Sequence, residues 1–482
     1  MFKGSVWQMN NEIPQRVSLS RSIVTEVAVI GAGLAGILIA DRLQQEGKKV
    51  IILEADSIAS GQTGKTTAKI TAQHGCIYAD IAENYGEESA RLYAEANMKA
   101  VNWYRKTVEE RKIDCAFEDT CAYLFTDTQP QRLEREEKTC RKIGLPIEIA
   151  DCSELPFSAK MALKMNGQAQ FDPLKFIKAV SKPLQIYEKT MVNKVSQNKI
   201  YCDNFTVLAE KIVFACHYPF PLLSGLYSAK MYQQRSYVIA LGNTPNISGM
   251  YLGIDEKGLS LRSAGDFLLL GGAGHRTGEN KGDSYKKLSN AAKRLFPESK
   301  QVAAWSAQDC ITADRIPYIG RFSPLQGDWY IATGFGKWGM TSSAVAADII
   351  ADLICGRKNS AERLYSPSRF SLAAAHGIAS EIAHSAKGLI KGNLQIPPAK
   401  LSSVRVGEGG IVNIGGKRIG VYRESEEKYY SVIPRCTHLG CGLEWNQDEK
   451  SWDCLCHGSR FDYMGNVMDN PAKKPLKHPP EL

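Results

Sequence analysis

The chain has 482 residues, more than one ordinary hydrophobic core accommodates, and at roughly 150 residues per domain the expectation is about three domains. A hydrophobic share of 44% and a charged share of 23% are those of an ordinary globular protein. The net charge of +9 is spread along the sequence, and without a nucleic-acid-binding motif it reads as a basic surface with a mild bias toward anionic ligands. The opening segment MFKGSVWQMNNEIPQRVSLSRS has no apolar core of signal-peptide length. The longest apolar stretch, Val27 to Ala40, is too short to span a bilayer and contains three glycines, so the chain reads as cytoplasmic. Thirteen cysteines in such a compartment do not normally form a disulfide framework. Four of them fall between Cys436 and Cys456, a metal-site signal.

Residues 24–56 read as strand, glycine turn, helix, strand. The turn is Gly31-Ala-Gly33-Leu-Ala-Gly36, and the second strand, VIILE, ends at Glu54. Glycines there let the backbone approach a pyrophosphate at a helix N-terminus, while the carboxylate takes ribose hydroxyls. The following segment, SGQTGKTTAKITAQHG, contains a relaxed P-loop pattern, Ala59 to Thr66. A P-loop needs its own strand, and VIILE already serves the dinucleotide fold, so an ATPase is not expected. Residues 85–145 are charged and helix-rich. Short β-like runs occupy Ile186 to Ala215 and residues 228–275. A glycine run, Gly271 to Gly274, precedes polar RTGENKGDS rather than an amphipathic helix and is not a nucleotide site.

Residues 326–356 give a strand, a second G-x-G-x-x-G at Gly334, Gly336 and Gly339, and an Ala-rich helix. A second dinucleotide site would need a further strand and acid, but polar CGRKNSAERL follows, so NAD(P)H is not implied. Residues 357–393 are a helical connector. From Gln395 short antiparallel strands with glycine turns are expected.

Two boxes follow, Cys436-Thr-His438-Leu-Gly-Cys441 and Cys454-Leu-Cys456-His457-Gly-Ser459. In a Rieske centre two cysteines hold one iron and two histidines the other, so each box supplies one thiolate and one imidazole. Structural zinc is the competing reading, but zinc fingers usually pair Cys with Cys and His with His, whereas each box here is mixed. The boxes resemble the Rieske proteins of respiratory and photosynthetic cytochrome complexes. That resemblance implies Cys436, His438, Cys454 and His457 as [2Fe-2S] ligands, a loop-bridging Cys441–Cys456 disulfide, and a hydrogen bond from Ser459 to a cluster sulfur. Leu455 departs from the usual Pro, and Phe461 stands where high-potential members have Tyr. With one donor fewer, a potential below that of the respiratory members is expected.

The first glycine motif, the segment after Glu54, the late strand–turn–helix and Asp314-Arg-Ile-Pro317-Tyr-Ile-Gly320 resemble the D-amino-acid oxidase/glycine oxidase family of FAD enzymes. The resemblance covers roughly residues 24–356. It implies an α/β FAD-binding domain (Rossmann-like, glutathione-reductase type) with an inserted mixed β-sheet substrate domain, here followed by an all-β Rieske domain. The parts expected are FAD-binding at about 24–80, 150–220 and 300–356, substrate-domain at about 85–145 and 222–300, a linker at 357–393, and the Rieske domain at 394–482. FAD would be held by Gly31, Gly33, Gly36, Glu54, Thr66, Thr67, Gly334, Gly336, Gly339, Met340 and Thr341. The late helix would face the flavin pyrimidine end and stabilise the anionic reduced flavin. The combination of both domains matches a bacterial family of FAD-dependent oxidoreductases.

Family members take a hydride from a carbon bearing an amine onto flavin N5. Lys69 near the flavin, His74 as a proton acceptor and Arg235 as a fork for a carboxylate are the candidate catalytic residues. His275, Tyr318 and Trp338 are further pocket candidates. For each, a plain structural role remains open. The leading expectation is a dehydrogenase of a small amine or amino acid whose electrons leave singly through the cluster to an unknown one-electron acceptor. The alternatives are an oxidase using oxygen with the Rieske domain accessory, and a non-enzymatic carrier or sensor. A Rieske oxygenase needs a mononuclear iron held by two His and a carboxylate. The remaining histidines, 74, 217, 275, 376, 384 and 478, form no close pair for it.

Overall fold

The computed structural model describes residues 2–221, 225–280, 282–370, 372–394 and 399–480. The run Val27 to Ile30 is buried at every position because Ile23–Ile30 lies inside a parallel sheet covered on both faces. It pairs in parallel with Val50–Leu53 and Phe205–Phe214. Gln185–Tyr187 and Gln326–Thr333 extend the sheet in parallel, and Tyr318–Ser323 closes one edge antiparallel. Helix Leu34–Gln45 is apolar on nearly every face, since it packs on this sheet and on the late helix Gly339–Ile354.

A second, ten-stranded mixed sheet stands beside it. Its long strands Met231–Gly242, Phe267–Arg276 and Lys300–Thr312 are antiparallel neighbours, and Glu118–Thr126 and Met161–Gln170 form the other half. Met161–Gln170, Lys300–Thr312 and the short strand Lys69–Ile70 join this second sheet, although they come from the ranges 150–220, 300–356 and 24–80 expected to bind FAD. Alternation identifies a strand but does not say which sheet it joins. The first residues also contribute: Phe2–Lys3 pairs in parallel with Lys300–Thr312, and helix Val6–Asn10 follows. There Ser5 donates to the Gly64 carbonyl and Trp7 to that of Thr66, pinning the loop after Glu54.

The connector carries helix Leu372–Leu394 and is docked. Arg369 makes a bidentate pair with Asp314 at 2.7 Å on both arms, and Arg276 grips Glu381 at 3.0 and 2.6 Å. The boundary at Gln395 lies outside the described residues. Beyond it stand a three-stranded sheet (Gly409–Ile414, Lys417–Arg423, Tyr429–Val432) and a four-stranded one (Leu443–Asn446, Ser451–Cys454, Arg460–Asp462, Val467–Asp469), all antiparallel. Among the described residues no helix is long and apolar enough to cross a membrane.

Candidate active site and cluster site

The ends of the parallel strands open onto a cavity of about 820 Å³, within the range of about 300–1,000 Å³ usual for ligand sites. Gly31, Gly33 and Glu54 line one part, with Thr66 and Thr67 from the following loop. Gly334, Gly336, Gly339 and Met340 line another. Gly31 has φ +109, and a Cβ there would strike the Ala215 backbone. Gly36 lies behind the cavity, where a side chain would run into the Gly31 carbonyl. Its role is to seat the helix on the strand. The Glu54 carboxylate accepts from the N–H of Ala32 at 2.7 Å and of Asp56 at 2.8 Å, which leaves lone pairs for hydroxyl donors. Burial raises its pKa, and those two N–H groups oppose the rise.

In the late turn Gly334, Gly336 and Lys337 take φ of +72, +56 and +77. A Cβ on Gly334 would strike Thr312. The turn aims the N-terminus of Gly339–Ile354 at the cavity, a place where a helix favours negative charge. Thr341 does not reach the cavity; its hydroxyl is turned onto His74 and the Thr71 carbonyl. Glycine-lined walls, a buried acidic strand end and an inward helix terminus fit a dinucleotide with an anionic end, as FAD requires.

Lys69 lies on the cavity wall formed by the second sheet. Its Nζ donates to Ser260 Oγ and to the Tyr251 carbonyl at 3.3 Å. Burial, with the Arg262 charge nearby, pushes its pKa down to about 7. His74 differs from the expectation of a proton acceptor. Nδ1 meets Tyr93 Oη at 2.7 Å, Nε2 meets Thr71 O and Thr341 Oγ1, and the ring stacks on Trp338 at 4.6 Å. Burial holds its pKa near 3, so it is a neutral brace behind the late turn. Trp338 lines the cavity, whereas Tyr318 packs under Arg369, and His275 is held by Tyr237 and the Arg276 carbonyl.

Arg235 is corrected most. It is 1% exposed and faces away from the cavity, with its guanidinium bonded to Ser306 and to Glu449 of the C-terminal domain at 2.8 Å. An Arg in alternating β sequence looks free until the surface that covers it is known. Asp309, Cys310, His217 and Lys337 are cavity residues that sequence reasoning missed. Burial raises the pKa of Asp309 and lowers that of Lys337, each partly offset by the other's charge. The alternation of Lys300–Thr312 was the available signal for Asp309.

In the C-terminal domain Cys436 and Cys454 are buried in one small core, and the rings of His438 and His457 meet edge-on at 5.1 Å. The N–H groups of His438 and Leu439 favour the Cys436 thiolate, and those of Cys456 and His457 oppose the rise that Cys436 and burial impose on Cys454. Both nitrogens of His438 and Nδ1 of His457 are buried with no hydrogen-bond partner, a costly condition that metal ligation relieves. Two thiolates and two uncommitted imidazoles fit the [2Fe-2S] donor set. The sulfurs of Cys441, Cys454 and Cys456 also lie within 4.8 Å of one another, but Cys441 and Cys456 are joined as the expected disulfide and have no thiolate to offer. Ser459 is fully buried, its hydroxyl oxygen accepting from the Ala472 N–H at 3.0 Å, and Phe461 is fully buried in the small core that holds Cys436.

This domain sits directly on the cavity. Residues Val467 to Lys473 form part of its wall. Asn470 donates to the carbonyls of Cys216 and Tyr218 at 2.9 and 3.0 Å, and Lys473 to those of Val192 and Asn193. A buried ionic network, Arg235–Glu449–Arg460 with Asp453 and Asp469, crosses the boundary. Burial pushes Glu449 up, but the two guanidinium groups outweigh it and hold the carboxyl at about 2.

Comparison with known proteins agrees with both sites. The family model described as FAD dependent oxidoreductase matches residues 26–353, and that of the Rieske [2Fe-2S] domain matches residues 396–480. The chain is 38% identical to the putative Rieske 2Fe-2S iron-sulfur protein YhfW of Bacillus subtilis (strain 168), covering 98% of this chain and 96% of that one. Among solved structures, glycine oxidase from Geobacillus kaustophilus superposes with TM-score 0.62 at 18% identity, over 72% of this chain and 99% of its own. L-proline dehydrogenase from P.horikoshii gives 0.60 at 20%, over 72% and 97%.

Proposed function

Since the chain belongs to the FAD dependent oxidoreductase family and carries a Rieske [2Fe-2S] domain behind it, we propose that it dehydrogenates a small amine or amino acid and passes the electrons singly through the cluster. The observation that carries this reading is the shared wall: Val467 to Lys473 of the Rieske domain line the same cavity as both glycine turns. An accessory domain has no need to close the active-site cavity. When bound, FAD supplies hydride acceptance at N5 and the cluster supplies one-electron acceptance. A CH–NH2 substrate loses two electrons and two protons to become the imine, and two equivalents of a one-electron acceptor take up the electrons. The substrate class follows the named activities of the structural relatives, a glycine oxidase and an L-proline dehydrogenase.

Lys69, with its ammonium destabilised by burial, takes the amine proton as the neutral base. Ser260 and the Tyr251 carbonyl orient its Nζ. Trp338, stacked on His74, holds the late turn in place.

An anaerobic titration of the holoprotein with amines and amino acids tests the reading. Bleaching of the flavin followed by reduction of the cluster is expected. Rapid reaction of reduced flavin with oxygen, equally fast after Cys436→Ser, would establish the oxidase instead. Failure of every amine and amino acid to bleach the flavin would remove the substrate class and leave the carrier.

A further inference from the structure

The docking of the Rieske domain converges on two buried glutamines of the flavoprotein part. Gln233, on Met231–Gly242, and Gln308, on Lys300–Thr312, are 1% and 0% exposed. Gln233 Nε2 donates to the carbonyl of the cluster ligand His457 at 2.7 Å and to that of Asn470 at 3.0 Å. Its Oε1 meets Nε2 of His217, a residue of the cavity wall, at 3.2 Å and accepts from Gln308 Nε2 at 2.6 Å. Gln308 Nε2 also donates to the Gly458 carbonyl at 2.8 Å, and its Oε1 accepts from Thr277. The Gln233 amide nitrogen donates to two carbonyls and its oxygen accepts from Gln308 beside His217 Nε2, which fixes the orientation of the carboxamide. A fully satisfied buried network of this kind is rigid. The fit is steric as well: a Cβ on Gly458, at φ +78, would collide with the Gln233 side chain.

We propose that Gln233, braced by Gln308, is the positioning residue that couples the flavin cavity to the cluster. Its carboxamide is a single covalent unit bridging a cavity-wall imidazole and the backbone of a cluster ligand. This deepens the dehydrogenase reading and rests on it for the direction of electron flow. Each passage moves one electron and no atom, so the relay needs fixed geometry rather than a proton donor. Two glutamines that only glued the domains together would have no need of His217. An apolar contact would serve the same end, without the requirement to satisfy every amide hydrogen in a buried site.

The test uses the loaded full chain, Gln233→Leu, and laser-flash photoreduction of the flavin, which requires no substrate. The wild type should show electron arrival at the cluster, and Gln233→Leu should slow it about 10- to 100-fold, the usual scale for partners that orient metal ligands. The EPR g-values of the reduced cluster should shift, because the His457 backbone loses its anchor. His217→Phe removes the cavity end of the bridge but keeps the backbone carbonyls of Cys216 and Tyr218 that hold Asn470, and should slow arrival while leaving the EPR spectrum unchanged. If Gln233→Leu loads its cluster poorly, Gln233→Asn, one methylene too short to span both partners, takes its place. Wild-type arrival rates with unchanged g-values in a fully loaded variant would overturn the proposal. If the wild type itself shows no flavin-to-cluster transfer but the variant's g-values shift, the dehydrogenase route falls while the positioning of His457 by Gln233 stands.

Discussion

The cluster site and the flavin cavity are built in opposite ways. The four residues that fit the cluster, Cys436, His438, Cys454 and His457, lie on two loops tied by the Cys441–Cys456 bridge, so local chain geometry sets their spacing. The cavity draws Gly31, Thr66, His217, Asp309, Gly334 and Asn470 from six separate segments and two domains. A locally encoded site tolerates changes elsewhere in the fold, whereas a dispersed one depends on how its sheets and domains dock. Four substitutions act on that contrast.

The largest effect is expected at the local site. Cys436→Ser should abolish the cluster EPR signal and turnover with one-electron acceptors, while FAD remains bound and is still bleached by substrate. Loss of FAD together with the cluster would show that the two sites are not independent. Lys69→Met comes next, on the dispersed site. General-base loss costs about 10²–10⁴-fold in rate. In the wild type, kcat/KM should rise with pH up to about 7 and then level off, because the neutral amine forms above that value. The variant should lack this limb, and a limb that persists would assign it to another group.

The interface decides whether the dispersed site holds together. Arg235→Ala leaves Glu449 without its main partner and should cost about 3–5 kcal/mol, read by denaturant unfolding. The Rieske domain should separate before the flavoprotein core melts. Acid should do the same. The Glu449 carboxyl at about 2 lies below its usual value of about 4.3, so its contribution is complete above the higher value and disappears as pH falls through the lower one. Limited proteolysis between pH 5 and 2 on the order of one-unit steps follows this release. Unchanged cleavage across that window would mean that Glu449 does not hold the interface.

The contrast also explains what the sequence disclosed. The FAD-dependent and Rieske domains were legible because the two glycine turns and the two Cys/His boxes are contiguous patterns whose chemistry dictates their spacing. Fold class followed from the order of such patterns. Arg235 was misread because its partner, Glu449, is 214 residues away and a basic residue in a strand carries no mark of what covers it. That Lys69–Ile70 pairs with Met161–Gln170 in the second sheet was not legible, because sheet membership is a long-range property. Gln233 and Gln308 are ordinary strand glutamines until the Rieske loop is seated on them. The sequence offers His74 as a proton acceptor, but burial holds it neutral, and the Tyr93 and Trp338 contacts that enclose it come from segments no local pattern joins to it.

The smallest effect sharpens the local side. Phe461 is buried in the same small core as Cys436, Cys454 and Trp452, so a tyrosine there tests whether a hydroxyl reaches the cluster. The reduced cluster carries one more negative charge than the oxidised one, so a hydrogen-bond donor stabilises the reduced form more and raises the potential. A net gain of about 1 kcal/mol corresponds to about 40 mV for one electron. Phe461→Tyr should therefore raise the midpoint by roughly that amount in an EPR-monitored titration. If the hydroxyl finds no acceptor, its burial costs about 1–3 kcal/mol of stability and leaves the potential unchanged. That outcome would trace the low potential expected of this cluster to something other than the missing donor.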